Sequence, residues 1–395
     1  MRSRLALTIL AFAALSIPAS AATYVGSQRC ETCHAATYAS WQKTRMANIV
    51  RDPKIHPEGV KGDFSKPNPL VTFKLEDVAF MYGDKWKQRY FYKKGNDYFM
   101  YPAQWDVQNS VWRAFNPAPG TDWWTNVYPA DMAQRPTGPL CDGCHSVGYN
   151  TTTHEVAEWN VGCEKCHGPG SDHAAAPSRT NIVNPARLDT VRANDTCMQC
   201  HSEGRPLKNP IDGRTYDWPV GYTPGARLAD YWKLEEHKLG EKSFTHYADG
   251  SAIKNRMQGN DFVQSQMYKR GMTCFSCHNV HGTPNNADLI KPASSLCITC
   301  HNEKTPNGPS MNAAAHSHHA ANSAGAECIA CHMPKVANEI ADVNVRSHTF
   351  RFMPPLLTEQ YKEPNSCNAC HKDKDAAWAQ QNLDKWPEVS PWRMQ

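Results

Sequence analysis

The chain has 395 residues, 40% of them hydrophobic, and 42 Lys and Arg against 38 Asp and Glu, a formal charge of +4. So small a basic excess gives no support to nucleic-acid binding, and a mean hydropathy of -0.64 speaks against a chain with several membrane spans. The apolar share lies below the roughly 45 to 50% of ordinary globular chains, so a core of side chains alone is thin, with 28 Pro and 23 Gly diluting it further.

At the N-terminus, Arg2 and Arg4 precede an apolar run from Leu5 to Ile17 and then the small residues Ala19 and Ala21. This is the pattern of an export signal, and cleavage is expected after Ala21. Residues 1–21 therefore read as a signal peptide. No comparable apolar run follows, so the mature protein is expected to be soluble, without a transmembrane span, in the periplasm or outside the cell.

Soon after comes Cys30-Glu-Thr-Cys33-His34, the first of eight Cys-x-x-Cys-His motifs. The others are Cys141/Cys144/His145, Cys163/Cys166/His167, Cys197/Cys200/His201, Cys274/Cys277/His278, Cys297/Cys300/His301, Cys328/Cys331/His332 and Cys367/Cys370/His371, numbered one to eight in chain order. They use all 16 cysteines. Two thiols three positions apart, about one helical turn, can each add to a haem vinyl group while the adjacent imidazole reaches the iron. Zinc sites or a disulfide framework could use the cysteines, but neither needs a histidine after each second one. With 18 His in the chain, eight of eight by chance is on the order of one in ten billion. The cofactor implied is eight covalently bound haems c, each holding one iron.

Between motifs one and two lies a long stretch without cysteine. Val71 to Phe80 and Trp86 to Tyr101 are rich in aromatic residues and broken at Lys94-Gly95-Asn96-Asp97, which predicts a β-hairpin element at about 70–105, covering haem. Trp105, Trp112, Trp123 and Trp124 follow. Between motifs four and five, short helices are expected around Leu228 to His237 and from Asp261 to Met272. The fold class predicted is mainly α with extensive loops, a small β-hairpin and a haem core. It divides into four-motif halves at 22–202 and 203–372, with a tail at 373–395.

Ten histidines remain for the second axial position: His56, His154, His173, His237, His246, His281, His316, His318, His319 and His348. A haem capped on both faces passes electrons, whereas an open face allows chemistry. His281 lies too close to His278 to reach the far face of the same iron, so it points to a neighbouring haem. His173, after Gly168-Pro-Gly-Ser-Asp, follows the same logic. Together with His348, these are the leading distal ligands; His246 and the adjacent His318 and His319 come next.

The opening Tyr24-Val-Gly-Ser-Gln-Arg-Cys30 and the run Gly162-Cys163-Glu-Lys-Cys166-His167-Gly-Pro-Gly-Ser171 resemble the cytochrome c-554/c-prime family. Cys274 to His301 looks like the doubled motif of periplasmic electron carriers. Cys328 to Lys335 with His348 is similar to the C-terminal region of pentahaem nitrite reductases and hydroxylamine oxidoreductase. The resemblance implies haems stacked in parallel and perpendicular pairs. Relatives of the c-554 type often offer a histidine after the first motif; here the chain reads Thr44-Arg45-Met46, which makes Met46 a candidate thioether ligand. None of the motifs ends in Lys, which weakens a nitrite reductase reading.

The function expected is electron transfer through mostly bis-histidine haems. Its redox partners would be a quinol-oxidising or other donor and, as acceptor, a terminal reductase or further cytochrome. The alternative is a multihaem oxidoreductase acting on a nitrogen or sulfur oxyanion at one open haem, with the first haem, beside Arg45, as its best place.

Overall fold

The computed structural model describes residues 21–116, 134–302 and 313–386. The expected signal peptide (all but Ala21), Trp123, Trp124 and the end of the tail lie outside the described residues.

Strands β1 (Val50–Arg51), β2 (Phe80–Tyr82), β3 (Lys87–Lys94), β4 (Asp97–Asp106) and β5 (Val111–Ala114) form a five-stranded antiparallel meander in that order. Its centre is the expected hairpin. Lys94 pairs with Asp97, so Gly95-Asn96 is a two-residue loop, and Gly95 supplies its positive φ of 63°. The expectation of a small hairpin is corrected to a sheet because β1, β2 and β5 are too short to signal themselves, and because both faces are apolar. Side chains alternate between faces along a strand, yet the successive residues Tyr90 and Phe91 are both fully buried.

One face packs Phe73, Val78, Met81, Tyr90, Trp105 and Trp112. The other packs Val50, Tyr82, Phe91, Met100 and Phe115 against Leu140, Cys141 and Trp159. The sheet therefore has its own core on one side and covers motif two with the other. Tyr90 ties the first core together: its hydroxyl accepts from Gly62 N at 2.9 Å and donates to Gln88 Oε1 at 2.7 Å. Tyr90→Phe leaves Gly62 N without its partner, while Gln88 Oε1 keeps Lys61 N at 2.8 Å, and is expected to cost about 0.5–1.5 kcal/mol, read as a lowered denaturation midpoint of the haem-loaded protein. A midpoint equal to that of the parent would show that these bonds contribute nothing.

The other strands form three antiparallel ribbons: β6 (Ser146–Val147) with β7 (Glu158–Trp159), β8 (Gly204–Pro206) with β9 (Trp232–Leu234), and β10 (Lys335–Ile340) with β11 (Val343–Arg346). The helix expected at Leu228–His237 is instead a 3-10 turn at Leu228–Asp230 running into β9, since pairing with β8 claims Trp232 to Leu234. The helix expected at Asp261–Met272 is two pieces, Gln258–Phe262 and Gln266–Lys269. They are split at Ser265, whose hydroxyl caps the second by accepting from Tyr268 N.

Helices are otherwise short. The longest, Ser27–Trp41, carries motif one, and Thr190–Met198, capped by Asp189, leads into motif four. Among the described residues, a third apolar cluster sits around Met198, Leu228 and Trp232, and none forms beyond Val263, although four of the eight motifs lie there. That half is held by turns, ribbons and the motifs themselves, which fits a core supplied largely by cofactor. Among the described residues no helix is long and apolar enough to cross a membrane.

Candidate metal centres

Each motif is built locally. In motifs three, four, five, six and eight the histidine N–H donates to the carbonyl of the first cysteine at 2.9–3.1 Å, closing one α-turn. Cysteines and histidine therefore project together, as attachment to one flat macrocycle requires.

Tertiary structure then brings second imidazoles opposite the motif histidines. His34 and His173 lie 6.4 Å apart between ring centres with planes 13° from parallel. His167 faces His281 at 6.2 Å and 18°, His332 faces His316 at 6.1 Å and 10°, and His371 faces His319 at 6.2 Å and 35°. A metal–imidazole bond of roughly 2 Å plus roughly 1 Å from nitrogen to ring centre, on each side, sets two axial rings about 6 Å apart. Rings in direct stacking contact sit closer.

The rings are also presented through the right nitrogen. Nδ1 is bonded to a carbonyl oxygen in His167 (Val183 O, 2.7 Å), His173 (Ser178 O, 3.0 Å), His278 (Ala287 O, 2.9 Å), His319 (Ser317 O, 2.6 Å) and His348 (Arg346 O, 3.1 Å). A proton held on Nδ1 leaves the Nε2 lone pair for a metal. Burial pushes His145 and His348 down to about 4, so both are neutral at ordinary pH, the form that ligates. The residues fit haem.

His348 is partly buried, near His278 and, more weakly, His201. His316, not singled out among the distal candidates, faces His332, while His318 stacks on Trp386 at 4.6 Å and faces no motif histidine among the described residues. Spacing could not choose among three histidines in four positions. Met46 is not what faces His34, since His173 takes that side, and Arg45 reaches Asp84 at 3.4 Å. His246 has His237, not a motif histidine, as its ring neighbour. It is fully buried beside His237, 5.2 Å away, with Nδ1 on the Thr245 hydroxyl at 2.9 Å. Its Nε2 is buried without a hydrogen-bond partner among the described residues. His56 and His154 lie against carboxylates, Glu58 at 3.3 Å and Asp97 at 3.1 Å.

Thiols of different motifs meet. Cys30 neighbours Cys163, Cys144 neighbours Cys200, Cys197 neighbours Cys274, and Cys297 neighbours Cys328. Cys166 lies near Cys197, Cys277 near Cys300, and Cys331 near Cys367 and Cys370. The eight motifs thus form one connected set.

Residues 122–168, spanning motifs two and three, match the family of cytochrome c554 and c-prime, and residues 266–306, spanning motifs five and six, match the doubled CXXCH motif. The chain is a multihaem c-type cytochrome. The cytochrome is 27% identical over 153 residues to the multiheme cytochrome MtrA of Shewanella baltica (strain OS185), an alignment covering 38% of this chain and 44% of that protein. It thus spans less than half the length of that relative. Its fold resembles that of the outer cell wall cytochrome OcwA, with a TM-score of 0.75 at 23% identity over 92% of this chain and 86% of the other. It also resembles the undecaheme cytochrome from the S-layer of Carboxydothermus ferrireducens, with a TM-score of 0.54 at 18% identity over 92% and 60%.

Proposed function

We propose that the cytochrome carries electrons along a connected set of eight covalently bound haems. The observation that carries this reading is the four facing imidazole pairs, which leave no coordination position for substrate at those irons. Cys-x-x-Cys in each motif would tether one macrocycle and the following histidine would ligate its iron. His173, His281, His316 and His319 would cap the haems of motifs one, three, seven and eight, and His348 that of motif five. When bound, haem supplies a one-electron couple whose potential depends on axial ligands, burial and nearby charge. The chain holds imidazoles opposite one another, packs the sheet over motif two, and brings cysteines of different motifs together.

In this reading residues 1–21 direct export to the periplasm or cell surface. The halves 22–202 and 203–372 meet where Cys197 faces Cys274. Redox proteins, a quinol-oxidising or other donor and a terminal reductase or further cytochrome, would meet its ends. The relatives named as outer-wall and S-layer cytochromes are consistent with work at the cell boundary.

A second reading rests on His145, His201 and His301, which no histidine ring stacks against among the described residues; the ring neighbour of His145 is Tyr82 at 5.4 Å. An open iron at one of them would make the protein an oxidoreductase. Haem quantification, low-temperature EPR of the oxidised protein and carbon monoxide titration of the reduced protein decide the matter. Eight haems per chain with low-spin signals and no carbon monoxide uptake is the expected result for a carrier. About one carbon monoxide per chain with a high-spin signal would replace it with the second reading, and a chain without covalent haem would overturn both.

A further inference from the structure

Motif four meets three other motifs. Cys200 Sγ lies 3.8 Å from Cys144 O, and Cys144 Sγ lies 3.9 Å from Gln199 O, which joins it to motif two. The Gln199 amide, between the two cysteines of motif four, donates to Lys165 O inside motif three at 3.1 Å. Asn194, on the helix Thr190–Met198 that leads into motif four, accepts from Cys274 N of motif five at 2.9 Å and donates to Met272 O at 3.2 Å. A haem held there adjoins three neighbours, so its potential bears on every route that passes through it.

The histidine of this junction is held by three successive residues. Gly259 N donates to His201 O at 2.7 Å, and a side chain at 259 has no room, since a Cβ would lie 2.6 Å from Met198 Cγ and 2.9 Å from His201 O itself. Asn260 accepts from Glu203 N at 2.9 Å and donates to Glu203 O at 3.0 Å, fixing the backbone that follows the motif. Gln258 reaches the ring. Its Nε2 donates to Asn255 O, and its Oε1 meets His201 Nδ1 at 3.3 Å. With the amide nitrogen engaged by a carbonyl, the oxygen is the end presented to the imidazole, so His201 Nδ1 is the donor and Nε2 is left for iron.

The kind of acceptor sets this histidine apart. The Nδ1 bonds of His167 and His278 end on backbone carbonyls, Val183 O and Ala287 O, which any residue supplies. That of His201 ends on a side chain, which substitution can change. The more fully Nδ1 gives its proton to an acceptor, the stronger a donor the ring becomes to iron and the more the ferric state is favoured. A neutral amide lies between a carboxylate and no acceptor at all. We propose that Gln258 sets the reduction potential of the haem at motif four, through the hydrogen bond it accepts from His201. Gln258 is thus a positioning residue for the junction of the cytochrome. This inference rests on the electron-transfer reading above and names the side chain that tunes its branch point.

The test is spectroelectrochemical titration, with low-temperature EPR, of the haem-loaded protein and its variants. Gln258→Glu places a carboxylate against Nδ1, and a charge-assisted bond is shorter and stronger than a neutral one; one component of the titration is expected to move to lower potential. Gln258→Leu removes the acceptor, and the same component is expected to move to higher potential. Both variants are expected to keep the haem content and spin states of the parent. A merely structural role would move the two the same way or strip haem, so shifts of opposite sign are specific to the bond. The double variant Cys197→Ala/Cys200→Ala is expected to lack the component that moves, and if it does not accumulate the opposite shifts decide. If Gln258→Glu does not accumulate, the upward shift in Gln258→Leu decides. No shift in either variant, shifts of the same sign, loss of haem from both, or persistence of the moving component without motif four overturns the inference and leaves the carrier reading intact. A parent without covalent haem overturns the carrier reading itself.

Discussion

Replacing His316 with alanine is expected to convert one low-spin haem to high spin and to add about one carbon monoxide per chain, whereas His318→Ala, two residues away, is expected to add none. His316 lies 6.1 Å from His332 with planes 10° apart, a separation at which two rings can bind one iron. His318 has its face on Trp386 and takes a positive φ of 54° that turns it from its neighbours. His319, opposite His371, is expected to behave as His316 does. EPR and carbon monoxide titration of the three variants check this directly, and a new high-spin signal in His318→Ala alone would refute the pairing. One short segment would thereby serve two adjacent haems, locking motifs seven and eight at a fixed separation.

Glu203→Gln is expected to destabilise the haem-loaded protein by about 3–5 kcal/mol, because it removes one partner of a buried ionic cluster and leaves the cations without it. Glu203 is 2% exposed and meets Arg256 at 2.8 Å, Arg205 at 3.3 Å and Lys254 at 3.5 Å. Lys254 is itself buried, with its ammonium 3.9 Å from the ring centre of Phe244. The cluster joins β8 to the segment before Gln258–Phe262 and so braces the backbone behind His201. Removing Glu236 from its exposed pair with Lys233 is the control, expected within about 1 kcal/mol of the parent. Denaturant unfolding of both variants measures the difference; equal midpoints would show that the cluster is not a brace.

The chemistry of attachment was legible in the residues because it is local. Two thiols and an imidazole within one helical turn need no help from distant chain, and the structure forms that turn in motif after motif. That His173 and His281 face histidines of motifs other than their nearest was also legible, since a residue so close to its own motif cannot reach the opposite face of the same ring. The hairpin turn at Gly95-Asn96 announced itself by a residue type that permits positive φ. What the local pattern could not supply was everything set by reach across space. The edge strand β1 has two residues and no periodicity to detect, and exists because β2 offers it backbone partners. His246 came to lie beside His237, while His316 came to face His332, and spacing alone could not foretell either. By itself the sequence determined how many haem attachment motifs the chain carries and which residues form them. Only the tertiary structure decided which imidazoles meet across about 6 Å and which motifs touch, because the far face of a macrocycle is reached by chain that returns from elsewhere.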